Sequence, residues 1–188
     1  MIVGIDVDST ICNTTECVLT YINERLPITP LRITDITGYS IEDALPEEFK
    51  WIVESAFRDK LMWKNVQLIA GAYENIEKLY NDGYEIFFVT SSLHENIYKK
   101  VKFLTRSFPF LTKDYVETHT IGIRRKQLLN LDILIDDCMG NLIGKRTYYS
   151  IALAYPWNRD CFEDGNYVRV NNWKDVYAKV KQIERGEL

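Results

Sequence analysis

Met1-Ile2-Val3-Gly4-Ile5-Asp6-Val7-Asp8-Ser9-Thr10 is a short apolar run, rich in β-branched residues, that ends in two carboxylates one residue apart. An apolar run of this length, bounded by polar residues, reads as a buried strand over Ile2 to Val7. Four later stretches read the same way. Tyr84 to Val89 follows the turn Asn81-Asp82-Gly83, and Leu131 to Ile135 stops abruptly at Asp136-Asp137. Tyr149 to Ala154 stops at Tyr155-Pro156, and Tyr167 to Val170 is a weaker run suited to a sheet edge.

Between these runs the apolar spacing changes from strand-like to helical. Residues 72, 73, 76, 79 and 80 mark an amphipathic helix that starts after Gly71. Ile97, Val101, Leu104 and Phe108 share one face of a helix over Asn96 to Phe108. Trp173, Val176, Tyr177, Val180 and Ile183 do so over Trp173 to Ile183. Strands alternating with helices predict an α/β fold, a Rossmann-like parallel sheet with helices on both faces. Residues 14–70 break the rhythm. They read as helices near 15–26 and 46–60 with a polar joint between Pro27 and Gly38, and they hold no strong strand. The expected organisation is therefore a core of residues 1–13 and 71–188, with residues 14–70 as a small helical cap inserted after the first strand.

Composition narrows the function classes. The 188 residues are 46% hydrophobic and 27% charged, ordinary for a globular chain able to bury one core. A net charge of -4 gives no global attraction to nucleic acid or anionic membranes, so an anionic substrate has to be held by local charges. No apolar run has membrane-spanning length, and no basic-then-apolar leader is present, so the expected location is cytoplasmic. Cys12, Cys17, Cys138 and Cys161 form no C-x-x-C pair, and no zinc site or disulfide framework is expected. His94 and His119 are far apart and read as surface or packing residues. A homodimer is compatible with the sequence.

In open α/β sheets, ligands bind beyond the carboxyl ends of the strands. Three predicted strands end there in reactive or phosphate-friendly groups: Asp6-Val7-Asp8-Ser9-Thr10, Thr90-Ser91-Ser92 and Asp136-Asp137, with Lys126 just upstream of the last strand. Each piece has a plain alternative. Thr-Ser-Ser after a strand is commonly a turn or helix cap, Lys126 sits in a basic triplet suited to solvent, and Asp136-Asp137 can cap a helix. The convergence of all of them is harder to attribute to chance. Phosphoryl transfer needs positioning and charge neutralisation. Asp6 is the candidate nucleophile, forming a covalent aspartyl-phosphate, and Asp8 the candidate acid/base. Carboxylates facing a phosphate need a hard dication between them, with Asp6 and Asp136 giving carboxylates and Asp8 its main-chain carbonyl. Lys126 balances the remaining charge, and the Thr90 and Ser91 hydroxyls bind phosphate oxygens.

These residues match, in order, the four motifs of the haloacid-dehalogenase-like phosphohydrolases. Phe108-Pro109-Phe110-Leu111, Arg125-Lys126 and Asp132-Ile133-Leu134-Ile135-Asp136-Asp137 resemble the 5′(3′)-deoxyribonucleotidase family in particular. Met62-Trp63 and Ala70-Gly71-Ala72 occupy the place of that family's aromatic and Gly-Ala segment, and Tyr155-Pro156-Trp157-Asn158-Arg159 resembles a stretch of its bacterial members. The resemblance implies a Rossmann-like core with a small cap, Mg2+ as cofactor, and hydrolysis of (deoxy)ribonucleoside monophosphates. It implies Asp6 as nucleophile, Asp8 as acid/base, Thr90 and Ser91 as phosphate ligands, Lys126 as charge partner, Asp136 as metal ligand and Asp137 as a supporting acid. Ser9-Thr10 departs from the glycine and small aliphatic residue of better-known members, and Ser92 from a proline; neither removes a catalytic atom. In the cap, Tyr21, Tyr39, Phe49, Trp51, Phe57 and Trp63 are candidates to stack on a base, although aromatics at helical spacing are more often core. Competing readings are a phosphatase for another small ester such as a sugar phosphate, a non-catalytic binding module on the same fold, and a nucleic-acid end-processing phosphatase. The intact acids count against the second, and the acidic charge balance counts against the third.

Overall fold

The computed structural model describes residues 1–91, 95–142, 148–159 and 167–187. Ser92, His94 and Cys161 lie outside them. In chain order the elements are β1 (Ile2–Asp6), α1 (Thr14–Asn23), α2 (Trp51–Arg58), α3 (Lys60–Asn65), α4 (Ala72–Asn81), β2 (Glu85–Thr90), α5 (Glu95–Ser107), α6 (Lys113–Thr118), β3 (Thr120–Gly122), β4 (Ile133–Asp136), α7 (Met139–Leu142), β5 (Tyr149–Leu153), β6 (Tyr167–Val170) and α8 (Trp173–Glu184). Short 3-10 turns fill much of the intervening chain, including Lys126–Leu128 before β4 and Pro156–Asn158 after β5.

The six strands form one sheet in the order β3-β2-β1-β4-β5-β6, every pairing parallel. Registers such as Val3 with Ile86 and Ile133 line up the alternating side chains. One face therefore carries Val3, Ile5, Ile86, Phe88, Ile133, Ile135 and Ile151 into the main core, which Ile76 of α4 and Val176 of α8 also enter. The opposite face carries Leu134 and Ala152 against Leu131, Leu142 and Tyr148. A strand buried on both faces has to be apolar throughout, which is why these runs lack the alternation of a half-exposed sheet. At Gly4 a Cβ would lie 2.6 Å from Leu131 Cδ1, so the second face closes on bare backbone there.

The short edge strand β3 escaped the sequence reading: three half-buried residues, one of them glycine, carry no periodic signal. The segment after β1 is helical as expected, with boundaries set by local chemistry. The helix expected near 46–60 divides at Asp59, whose extended backbone ends α2 and whose carboxylate accepts from Leu61 N at 2.6 Å, capping α3. No helix among the described residues is long and apolar enough to cross a membrane.

Candidate active site

From β1 the chain moves outward to β2 and β3, then returns to β4 on the other side of β1 before continuing to β5 and β6. The reversal lies between β1 and β4. Loops leaving these two neighbours diverge, opening a crevice above their carboxyl ends. Asp6 is the last residue of β1 and Asp136 the last of β4, so strand register brings two carboxylates 130 residues apart in sequence to the two sides of that crevice.

Lys126 joins them. From the turn preceding β4 its buried ammonium donates to Asp6 Oδ1 and, at 2.7 Å, to Asp136 Oδ2. Asp136 is fixed further by Cys138 N on Oδ1 at 2.9 Å and by Asn141 Nδ2 on Oδ2 at 3.0 Å. Carboxylate oxygens of Asp6, Asp136 and Asp137 lie within 4.8 Å of one another, all three residues buried. Burial pushes the Asp6 carboxyl up to about 7 against the pull of Lys126, with repulsion from Asp136 and Asp8 in the same upward direction. Burial, then Asp6 and Asp136, hold Asp137 well above the usual carboxylate range. Burial would discharge Lys126, yet Asp136 and Asp6 more than offset it and keep the ammonium protonated. Among the described residues one ammonium faces these three carboxyls, so in their ionised form they carry an excess of negative charge in a buried place. The donor set is hard carboxylate oxygen, which fits a divalent cation of the magnesium, calcium or manganese kind. The acidic side-chain cluster includes Asp137 as a full member alongside Asp6 and Asp136.

A second charged group stands beside this one. Asp8 accepts from Thr14 Oγ1 at 3.0 Å and from the fully buried Lys100 ammonium of α5. Lys100 also donates to Thr90 Oγ1 at 2.6 Å, at the end of β2. One cation thus ties the candidate acid/base to a candidate phosphate ligand. The sequence reading passed over Lys100. Its signal was position: three residues after Ile97 and four before Leu104, it is a lone cation inside the apolar stripe of α5. Asn141, which steadies Asp136, offered no comparable signal.

Asp8, Ser91 and Asp137 open onto a cavity of about 440 Å³ whose far wall includes Ile36, Tyr39 and Phe57. The structure therefore gathers the sequence-predicted residues Asp6, Asp8, Thr90, Ser91, Lys126, Asp136 and Asp137 at one end of the sheet. Of the six aromatics proposed for stacking, Tyr39 and Phe57 line this cavity. Trp63 is buried, with Nε1 donating to Phe57 O at 2.8 Å, and Trp51 is exposed on the surface. His119 stacks on Tyr115 and Phe87 as a packing residue.

The backbone of the first loop is unusual at one point. Ser9 has φ of 56°, the left-handed region that glycine enters freely. This is the position at which the sequence departs from a glycine. Next to it, the buried Thr10 Oγ1 has no hydrogen-bond partner among the described residues, at the position where a small aliphatic residue is usual.

Comparison with known proteins identifies the lineage and the fold. The model of the family described as 5′ nucleotidase, deoxy (pyrimidine), cytosolic type C protein matches residues 1–184. No curated protein sequence matches significantly. Among solved structures, a haloacid dehalogenase (HAD) family hydrolase from Deinococcus radiodurans, crystallised with bound phosphate and sodium, superposes with a TM-score of 0.64 at 15% identity, covering 96% of this chain and 95% of that one. A haloacid dehalogenase-like hydrolase from Streptococcus pneumoniae gives 0.60 at 15% identity over 95% and 97% of the two chains. A "predicted phosphoglycolate phosphatase" from Haemophilus somnus gives 0.60 at 15% identity over 96% and 97%. At such identities the structures speak for the fold, and the family model for the lineage. The chain is a phosphatase of the haloacid-dehalogenase-like fold and belongs to the 5′ nucleotidase, deoxy (pyrimidine), cytosolic type C (NT5C) family.

Proposed function

We propose that this protein is a magnesium-dependent phosphomonoesterase that hydrolyses (deoxy)ribonucleoside monophosphates through an aspartyl-phosphate on Asp6. The observation that carries the reading is the Lys126 ammonium shared between Asp6 and Asp136, with Asp137 beside them and Asp8 facing the same cavity. We further take residues 14–70 as a cap over a core of residues 1–13 and 71–188, and the cytoplasm as the place of action. The Deinococcus relative, crystallised with phosphate and sodium, supports a phosphate site on this fold.

In this mechanism the Thr90 and Ser91 hydroxyls hold the phosphate oxygens at the end of β2. A carboxylate oxygen of Asp6 attacks phosphorus as the bond from phosphorus to the ester oxygen breaks. Asp8, in its protonated form, gives its proton to the departing oxygen, so a neutral alcohol leaves, and the Lys100 ammonium stands beside the carboxylate that results. Asp8 then takes a proton from a water whose oxygen attacks the phosphorus of the aspartyl-phosphate, releasing inorganic phosphate and restoring Asp6. Lys126 keeps its charge against Asp6 throughout. Asp6, Asp136 and the Asp8 carbonyl would hold Mg2+, with Asp137 alongside, and the ion would neutralise phosphate charge and stabilise the charge that develops at phosphorus. The released nucleoside would rest against Tyr39 and Phe57.

Phosphate release across nucleoside monophosphates and sugar phosphates, with Mg2+, tests the substrate class. Strong preference for sugar phosphates would overturn it; Ser40 and Glu42 on the cavity wall, 2.5 Å apart, are the groups that would then take sugar hydroxyls. Asp6→Asn should abolish turnover with the circular dichroism spectrum unchanged. Retained turnover rules out the covalent route.

A further inference from the structure

The turn Pro156–Asn158 follows β5, and two of its side chains converge on Asp137. Trp157 Nε1 donates to Asp137 Oδ2 at 3.1 Å. Asn158 Nδ2 donates to the Asp137 main-chain carbonyl at 3.0 Å and to Leu153 O at 2.7 Å. Asn158 is itself held through Oδ1, which accepts from Tyr155 N at 2.9 Å and from Arg169 Nε of β6 at 2.9 Å. Arg169 Nη2 also donates to Tyr155 O at 3.0 Å. The indole is set by a stack on Tyr155, the centroids 4.3 Å apart and the planes 6° from parallel. The edge strand, the turn and the acid thus form one continuous hydrogen-bonded chain.

We propose that Trp157 is a positioning residue for the cation site: its N–H fixes the Asp137 carboxylate so that this acid presents an oxygen to the divalent cation. The inference rests on the metal reading given under Proposed function. Its physical basis is the kind of donor. Asp137 is 4% exposed and lies among other carboxylates, where a lysine or arginine would cancel the charge that attracts the ion. An indole N–H satisfies one carboxylate oxygen and orients the group without bringing in a positive charge that would compete with the ion. It cannot accept a hydrogen bond, so it favours the acceptor form of the carboxyl. Asn158 fixes the Asp137 backbone from the same turn, so side chain and main chain are set by one rigid element. Trp157 also lines the cavity, which puts this support between the acid and the space where substrate enters.

The test uses the full chain with Mg2+ or Mn2+ and reads binding directly, by calorimetric titration. Trp157→Phe keeps an aromatic ring on Tyr155 and removes the N–H. Outer hydrogen-bond partners of metal ligands are typically worth about 10- to 100-fold in affinity, and a loss in that range is expected. Trp157→His, which retains a ring N–H, should regain part of it. Equal loss in the Phe and His variants would assign the effect to packing and overturn the proposal, as would unchanged affinity in Trp157→Phe. If the unmodified protein binds neither ion, the metal reading itself fails, a different result from either of these. Should Trp157→Phe not fold, the indole N–H resonance of Trp157 in the unmodified protein serves instead. It should shift on adding Mg2+, and a resonance that stays in place while the ion binds elsewhere on the spectrum overturns the inference.

Discussion

Replacing Lys126 by methionine removes an ammonium that touches both Asp6 and Asp136, and keeps most of the side-chain volume. Deleting one partner of a buried ion pair typically costs about 3–5 kcal/mol, because the remaining charge stays buried. Here the cost depends on pH through Asp6. Its carboxyl titrates at about 7 in the native protein and at 3.8 when unperturbed. Between those values the native state holds more protons than the unfolded chain, so stability falls as pH rises. At pH 8 Asp6 is charged, and the variant loses the full contribution, about 3–5 kcal/mol. At pH 5 Asp6 is already protonated. The loss then shrinks towards that of one hydrogen bond to charged Asp136, about 1.5–3 kcal/mol. Without Lys126 the Asp6 carboxyl moves further up, so the variant's stability keeps falling past neutral pH. Urea unfolding followed by circular dichroism, with a chelator present at both pH values, measures the two differences. A loss of the same size at pH 5 and pH 8 would refute the idea that Lys126 balances the charge on Asp6.

Mg2+ should raise the unfolding midpoint more at pH 8 than at pH 5, since protons compete for Asp6 and Asp137; at 100 times its dissociation constant the ion adds about 2.7 kcal/mol, and an equal rise at both pH values argues against binding at this cluster. Lys100→Met should lower kcat by about 10²-fold on alkyl phosphates, because Asp8 loses the group that orients it. Aryl phosphates, whose leaving group needs no proton, should suffer less, and an equal loss on both classes would separate Lys100 from the acid step. In the first loop, Ser9→Gly and Ser9→Ala both lose the 2.7 Å contact with Thr15, yet the glycine variant should be more stable by about 1 kcal/mol, as the positive φ requires, in paired thermal unfolding. Thr10→Val keeps the shape and removes a buried hydroxyl that is unpaired among the described residues, so it should stabilise by about 1 kcal/mol; a destabilised variant would mean that the hydroxyl has a partner.

The two departures in the first loop show how sequence and structure divide the information. A serine and a threonine at positions 9 and 10 were visible in the chain, but their consequences, a left-handed backbone and an unpaired hydroxyl, depend on how the loop folds back from Cys12 O to Ser9 N. Lys100 was visible as a cation in an apolar stripe. That it reaches Asp8, 92 residues away in sequence, depends on where tertiary packing places α5.

The buried parallel strands are legible in the chain alone, since a strand covered on both faces has to be a continuous apolar run. So is the order of acids at their ends, because a strand stops where polar residues begin. Tertiary structure decided which of those acids share one cation, since the reversal of strand order between β1 and β4 brings Asp6 and Asp136 together. It decided that Asp137 joins them and that Trp157 supports it, because a hydrogen bond between residues 20 apart depends on how the chain returns to the sheet. Periodicity records which face of an element is buried, and only packing records which side chains from different elements meet there.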